Sequence, residues 1–294
     1  MAEHIEYTNC LLCGSKGNNK IGDFNFCGSV LALVECERCA FAFVSPRLSA
    51  QGMNRFFQTY THLTNDKIEF YRINKLNNVR FDLRLLNRAL SPGRLLDLGF
   101  GYGLFMQHAL KSGWNAIGLE ISTGACRYAR AALGLRVVNA DFSRIPFRKA
   151  AFDAVTLFDS LYYNHDPITL LRQINQTLKP GGVIILRVHN RIGAIKWVHG
   201  INRNLDSNPF FIKDHIYQFS SRTISALLEK CGYKVSGIYN SRIPYFKGQI
   251  ASYIIWNGLL CLFDLVRFVS GGLIVLGPSI TIIATKMDGA AVDE

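Results

Sequence analysis

Missing from this 294-residue chain is any run of five or more basic side chains, although its formal net charge is +12. The surplus is spread out: 12 basic against 9 acidic residues in the first hundred, 12 against 5 in the second and 9 against 7 in the remainder. Anionic partners are expected from that charge, whether nucleic acid, nucleotide-linked substrates or an anionic membrane. The lack of a concentrated basic tract makes nucleic acid the less favoured of the three. Also missing, from "MAEHIEYTNCLLCG", is a basic region followed by an apolar stretch. No secretory leader is read there, and a cytoplasmic location is expected, with the inner-membrane surface as the alternative. In a reducing compartment the eight cysteines point to metal or catalysis rather than disulfides. No internal repeat or low-complexity tract is found, which argues against a repeat architecture.

What is present is a globular composition, 49% hydrophobic and 18% charged, long enough for one large domain and a small appendage. Residues 1–45 are short, cysteine-bearing and glycine-punctuated, and read as a module too small for its own core. Residues 46–90 read as a mostly helical linker or lid, with Phe81, Leu85 and Leu86 at helical spacing. Over 91–286, strands alternate with helices. "RLLDLG", "WNAIGLEIS", "RVVNADF", "FDAVTLF", "VIILRVHN", "KVSGIYN" and "SITIIATK" read as strands. "LFMQHALKSG", "TGACRYARAALG", "PITLLRQINQTLKPGG" and "SSRTISALLEKCGY" read as helices, the third ending at its Pro-Gly-Gly turn. That order predicts an α/β fold with a mostly parallel sheet and helices on both faces.

"LLDLGFGYGLF" lies between the first of these strands and its helix. Gly99, Gly101 and Gly103 leave backbone bare for a ligand at the carboxyl edge of the sheet. Alone, the loop fits phosphate and dinucleotide sites equally. Three carboxylates narrow it. Asp97, just before the glycines, would repel a phosphate but suits a cationic amino group. Glu120 ends the second strand, where it can accept from ribose hydroxyls. Asp141, with Phe142 beside it, ends the third, where an adenine would lie. Singly, each is as often a turn, a strand end or a helix cap; in this order they favour an adenosyl ligand carrying an amino acid.

Together "LLDLGFGYGLF", "IGLEIS", "NADFSRIPF", "FDAVTLFDSL" and "LKPGGVIILRVHN" resemble the class I S-adenosylmethionine-dependent methyltransferases over roughly residues 90–240. The resemblance implies a Rossmann-like seven-stranded sheet and S-adenosylmethionine as cofactor. It places Asp97 and Gly99 at the methionine part, Glu120 at the ribose, Asp141 and Phe142 at the adenine and Phe158 in the pocket wall, with Gly101, Gly103 and Ile121 also among the cofactor-binding residues.

Cys10 and Cys13 form one C-x-x-C, and Cys36 and Cys39 a second. Two such knuckles supply four thiolates for a closed, structural zinc. With "FAFVSPRLS" after it, this pattern resembles the N-terminal module of some bacterial methyltransferases of saccharide and polysaccharide modification, and more loosely a zinc-bearing ribosomal RNA methyltransferase. Cys27, Cys126, Cys231 and Cys261 are expected to be buried.

For an oxygen or carbon nucleophile the protein must supply orientation and a base. Asp159, Tyr162, Tyr163 and His165 follow the fourth strand, and His189 and Asn190 end the fifth. Tyr163 and His189 are the expected acceptor-site residues, with His189 favoured as base; the alternative is that His189 is a loop residue without a role, and His215 is expected to be structural. Many small-molecule relatives carry Glu-His where this chain has Tyr162-Tyr163, which departs from a quinone-type O-methyltransferase, and no "NPPY"-like tetrad follows strand four. A small-molecule or saccharide acceptor is favoured. An RNA methyltransferase and a cofactor-binding protein without turnover are the alternatives.

One segment interrupts the alternation. Residues 249–276 are apolar except for Asp264 and Arg267, and Asn257, Asp264, Arg267 and Gly271 fall on one helical stripe. A buried helix is the preferred reading. A cap over the substrate pocket, a homodimer contact and a membrane-surface contact are the others.

Overall fold

The computed structural model describes residues 5–60, 65–142, 144–201, 204–242 and 250–287. Gln249, where the apolar segment begins, and Ser143 lie outside them, as do parts of the first 45 residues and of 46–90.

The chain opens with β1 (Ile5–Glu6), the hairpin β2 (Asn18–Phe26) and β3 (Ser29–Cys36), then β4 (Ala42–Val44) and β5 (Arg47–Leu48). Two helices follow, α1 (Ala50–Tyr60) and α2 (Asn65–Ala89). The alternating part runs β6 (Arg94–Leu98), α3 (Leu104–Lys111), β7 (Asn115–Glu120), α4 (Thr123–Leu133), β8 (Val137–Asn139) and β9 (Phe152–Phe158). It continues with α5 (Pro167–Thr177), β10 (Leu178–His189), α6 (Ile192–Ile201), β11 (Tyr217–Gln218) and α7 (Ser221–Lys230). It ends with β12 (Tyr233–Asn240), α8 (Ile250–Val269) and β13 (Ser279–Lys286).

Seven strands form one sheet in the order β12-β13-β10-β9-β6-β7-β8. The pairs β10–β9, β9–β6, β6–β7 and β7–β8 are parallel, while β13 runs antiparallel to both its neighbours. This is the expected Rossmann-like α/β sheet. Local signals act where the sequence carries them. Pro167 opens α5 behind Asp166, whose carboxylate accepts from Thr169 N–H at 3.0 Å. Ser220 and Thr223 form a capping box on α7, and Gly134 ends α4 at φ 63°. One boundary differs. α5 stops at Thr177, before the Pro-Gly-Gly turn, because Leu178 already pairs with Phe152; Lys179–Gly182 bulge out before pairing resumes at Val183.

The cysteine module does not stand alone. Its sheet has the order β11-β4-β3-β2, so its last strand comes from residues 217–218, and β1 pairs with β5 as far as Leu48. Cys10, Phe41 and Phe43 share one buried cluster with Leu96, Val155 and Ile184 of the large sheet. Cys126 and Cys231 are buried as expected, whereas Cys27 and Cys261 are exposed. Cys27 sits at φ 50° in the β2–β3 turn, and Cys261 lies on an outer face of α8.

That helix corrects the buried reading of 249–276. Among its described side chains, Leu260 is buried, while Leu265, Phe268 and Val269 are 56%, 80% and 77% exposed. The polar stripe faces the protein instead: Asp264 accepts from Asn240 Nδ2 at 3.0 Å and from Arg242 Nη1 at 2.9 Å. No helix among the described residues is long and apolar enough to cross a membrane.

Candidate functional site

The glycine loop joins β6 to α3, and all three glycines have positive φ: 69°, 54° and 73°. Side chains rarely adopt this region, so the turn depends on them. Their surroundings differ. A Cβ on Gly99 would meet Phe142 and Ser160 Oγ at 3.2 Å, whereas one on Gly101 would meet only Tyr71 Oη at 4.0 Å. One on Gly103 would strike Leu135 at 2.6 Å, so that glycine lets α3 pack on the end of α4.

Asp97 is 2% exposed at the end of β6. Its Oδ1 accepts from Thr156 Oγ1 at 2.7 Å, while Oδ2 has no partner among the described residues. Burial pushes its carboxyl up to about 7, with the Thr156 hydrogen bond opposing and Glu120 adding. Ser160 Oγ, beside Gly99, is likewise buried without a partner. Two buried polar atoms without a partner among the described residues thus flank a bare stretch of backbone, a setting that suits a polar ligand.

Glu120 ends β7. Burial raises its carboxyl, against backbone donors: Gly101 N–H reaches Oε2 at 3.2 Å and Ser122 N–H reaches Oε1 at 3.0 Å. The carboxylate is thus locked to the loop it faces. Ile121 is half exposed, Asp141 is exposed, and Phe142 is partly buried against Gly99. The Phe158 ring packs edge-on against Phe105 at 4.8 Å, with the Arg187 guanidinium 5.0 Å from its centroid.

At the exit of β9, Asp159 has φ 54°, a strained value for a residue with a Cβ. Its carboxylate accepts from Arg187 Nε at 3.0 Å, Arg187 Nη2 at 2.8 Å and Lys75 Nζ at 2.8 Å. Burial disfavours its charge, but the two cations outweigh burial and hold the carboxyl well below the usual range. Arg187 also bonds Asp82, which accepts from Thr281 Oγ1 at 2.8 Å. Asp159 is thereby committed to structure and is unavailable as a base.

Beyond it lies a stack of rings. Tyr162 lies 3.7 Å from His215 and 5.3 Å from His189, and the two imidazoles are 5.0 Å apart. Tyr163 Oη stands 3.4 Å from His215 Nε2, and His189 Nδ1 is 2.8 Å from Ser279 Oγ. Tyr163 and His189 are therefore brought together, with His215, expected to be structural, between them. Burial and then Arg191 push the His189 imidazole down to about 3, and burial also pushes His215 well down. His165 and Asn190 lie apart in role: His165 Nε2 bonds Leu48 O at 2.9 Å, and Asn190 Nδ2 bonds the carbonyls of Val275 and Gly277, each at 3.1 Å.

Sequence reasoning missed the inner face of α2. Tyr71 reaches the loop, its ring 4.9 Å from that of Tyr102, and Lys75 reaches Asp159. Asn74 Nδ2 and Asn78 Oδ1 are buried without partners among the described residues. The signal was present: positions 71, 74, 75, 78 and 82 are one polar helical face.

The four module cysteines also converge. The Sγ atoms of Cys10 and Cys39 are 3.4 Å apart, those of Cys13 and Cys36 are 3.5 Å apart, and all four lie within 4.8 Å of one another. Thiolates around a tetrahedral zinc stand about 3.8 Å apart, from Zn–S bonds of about 2.3 Å. The knuckles match: Gly14 N–H bonds Cys10 O at 2.7 Å and Ala40 N–H bonds Cys36 O at 2.9 Å, both from left-handed residues. Four soft donors of this kind fit zinc.

The fold defines a Rossmann-like domain with a left-handed glycine loop at the carboxyl edge of its sheet. Residues 69–236 match the family described as "Methyltransferase domain", and the chain belongs to it. It is 29% identical over 128 residues to a ubiquinone biosynthesis O-methyltransferase of Xanthomonas campestris, covering 42% of this chain and 54% of that one. It is also 29% identical over 171 residues to an uncharacterized protein of Methanocaldococcus jannaschii, covering 51% and 64%. The chain thus spans between half and two thirds of the length of these relatives. Among solved structures it is similar in fold to a chain of the complex between the Haloferax volcanii Trm112 methyltransferase activator and a methyltransferase. That match has TM-score 0.54, 17% identity and coverage of 76% and 95%. A second similar fold is an S-adenosylmethionine-dependent methyltransferase of Thermotoga maritima (TM-score 0.50, 18% identity, coverage 80% and 98%).

Proposed function

We propose that this chain transfers a methyl group from S-adenosylmethionine to a small, hydroxyl-bearing acceptor. The observation that carries the reading is the buried, half-satisfied carboxylate of Asp97 beside the left-handed glycine loop. The sulfonium cofactor, when bound, supplies the activated methyl group. Asp97 would take the cationic amino group, and the bare backbone at Gly99 and Gly101 would let the methionine part lie close. Glu120 would accept from the ribose hydroxyls beside Ile121, while Asp141 and Phe142 would hold the adenine. Phe158 and Tyr71 would close the pocket, and Ser160 Oγ would find a partner.

The acceptor would sit against Tyr163, His189 and His215. In the tautomer whose Nδ1–H donates to Ser279 Oγ, Nε2 of His189 would accept from the acceptor hydroxyl and take its proton during transfer. A buried neutral imidazole is a weak resting base, so its main contribution is orientation. A saccharide-type acceptor would be in keeping with the resemblance of the cysteine module. Cys10, Cys13, Cys36 and Cys39 would hold one structural zinc, which organises the module and takes no part in transfer.

Titration calorimetry with S-adenosylmethionine tests the cofactor site. Binding is expected, with a loss of about tenfold or more in Glu120→Ala, since each lost hydrogen bond to a charged group is worth about 1.5–3 kcal/mol. No binding by the unmodified chain, or unchanged affinity in that variant, overturns the assignment. Screening acceptor pools with methyl-labelled cofactor, comparing the unmodified chain with His189→Gln, identifies the acceptor class.

A further inference from the structure

Helix α8 is built inside out. Its two charged residues turn toward the protein: Asp264 is held by Asn240 and Arg242, and the Arg267 guanidinium lies 4.4 Å from the Tyr239 ring. Its opposite face carries Ile254, Ile255, Leu262, Leu265, Phe268 and Val269, all exposed, and the apolar tract continues through Leu273 at 86% exposure. That face has no lysine, arginine, aspartate or glutamate. A water-facing helix would carry its charges outward and its leucines inward. A contiguous apolar face of this kind marks a docking surface.

What lies beside it says what docks. Arg242, which bonds Asp264, also stacks over Phe81 of α2 at 4.2 Å, so the two helices are one side chain apart. Helix α2 exposes Arg72, Arg80, Arg84 and Arg88. Arg80, Arg84 and Arg88 are successive i, i+4 neighbours and make an arginine stripe, with Arg72 farther around the helix. The ion pairs among the described residues include none of these four. A second copy of the chain would bring another +12 against this one, whereas anionic headgroups complement it. Because no described helix is long and apolar enough to span, the surface lies on the bilayer rather than through it.

We propose that the outer face of α8, with the adjoining arginine stripe of α2, docks on an anionic lipid bilayer. The apolar side chains enter the boundary between headgroups and acyl chains, and the arginines meet the anionic headgroups. The segment after α8 runs directly to the ring stack: Asn190 holds the carbonyls of Val275 and Gly277, and Ser279 bonds His189. Docking therefore bears on the acceptor side of the sheet edge. It stands independently of the methyl-transfer reading.

Flotation of the full chain on a density gradient tests it, with vesicles of phosphatidylcholine alone and of phosphatidylcholine mixed with phosphatidylglycerol. At low salt the chain is expected to float with the mixed vesicles, and less with phosphatidylcholine alone or at high salt. Leu265→Glu with Phe268→Glu is expected to lower partition about tenfold or more. Arg80→Glu with Arg84→Glu is expected to lower it about fivefold per arginine. All four side chains are exposed, and circular dichroism checks that the variants fold. S-adenosylmethionine titration, expected to be unchanged in these variants, separates failure of docking from failure of the cofactor site. Three results overturn the proposal. The chain stays in the aqueous fraction with mixed vesicles at low salt, or it floats equally well in the α8 variant. Or light scattering shows a stable dimer that the α8 variant splits and that does not bind vesicles.

Discussion

At Asp97 the proposed cofactor role works against the stability of the fold. Burial raises its carboxyl from 3.8 to about 7. Between those values the folded chain holds a proton that the unfolded chain has released, so stability falls as pH rises through this window. Above pH 7 the full cost of burying the charge stands, roughly 4 kcal/mol at most. Asp97→Asn is therefore expected to melt at or above the temperature of the unmodified chain at pH 8. The same variant is expected to bind S-adenosylmethionine about a hundredfold more weakly, because the cation loses its counter-charge. For the unmodified chain, calorimetry should show affinity rising as pH increases through about 7, with that dependence absent in the variant. The glycines separate in the same way. Gly103→Ala puts a Cβ 2.6 Å from Leu135 and is expected to cost about 1–3 kcal/mol in thermal melts, with cofactor affinity little changed in what remains folded. Gly101→Ala faces open space apart from Tyr71, so it costs only about 1–2 kcal/mol of backbone strain and is expected to show its effect in cofactor affinity.

At the scale of elements, the cysteine module and the ring stack are mechanically joined. Val44 N–H of β4 bonds Ile216 O at 2.9 Å, and Ile216 N–H bonds Tyr162 O at 3.1 Å. His215 precedes that bridge, so β4 of the module is tied to the Tyr162–His215 stack by two backbone hydrogen bonds. Metal analysis is expected to find about one zinc per chain. Stripping it with a chelator is expected to raise the acceptor KM with cofactor affinity less affected, since Asp97 and Glu120 stand on β6 and β7 away from β4. Equal loss of both would mean that the metal supports the whole fold without distinction. Helix α2 is the other positioning element: it presents Tyr71 and Lys75 to the site while its outer face carries arginines.

Over the whole molecule, the two sheets share one core. Cys10, Cys36, Phe41 and Phe43 are buried together with Leu98, Leu157 and Leu186, and β11 completes the module's sheet from residues 217–218. Calorimetric unfolding is expected to show one cooperative transition, and Cys13→Ser is expected to move that transition down as a whole. A separate low-temperature step for the module, with the large sheet melting as before, would contradict the shared core.

Much of this was written locally. The alternation of apolar runs and helical stretches determined the α/β sheet. The order of Asp97, the three glycines, Glu120 and Asp141 picked out the sheet edge proposed for the cofactor, and the two C-x-x-C pairs marked the cysteine cluster. These features are legible because each depends on residues close in sequence: a turn, a cap, a strand end. The rest was decided by partners far apart. Asp159, a candidate base in the sequence, is neutralised by Arg187, 28 residues on, and by Lys75, 84 residues back. His215 enters the ring stack across 52 residues from Tyr163. Helical periodicity announced that residues 250–276 have a polar and an apolar side, but not which one faces the protein. Asn240, Arg242 and Tyr239 settled that by offering hydrogen bonds and a ring to Asp264 and Arg267, which turned the leucines outward. A pattern records that a helix has two faces, and only the surface it meets chooses between them.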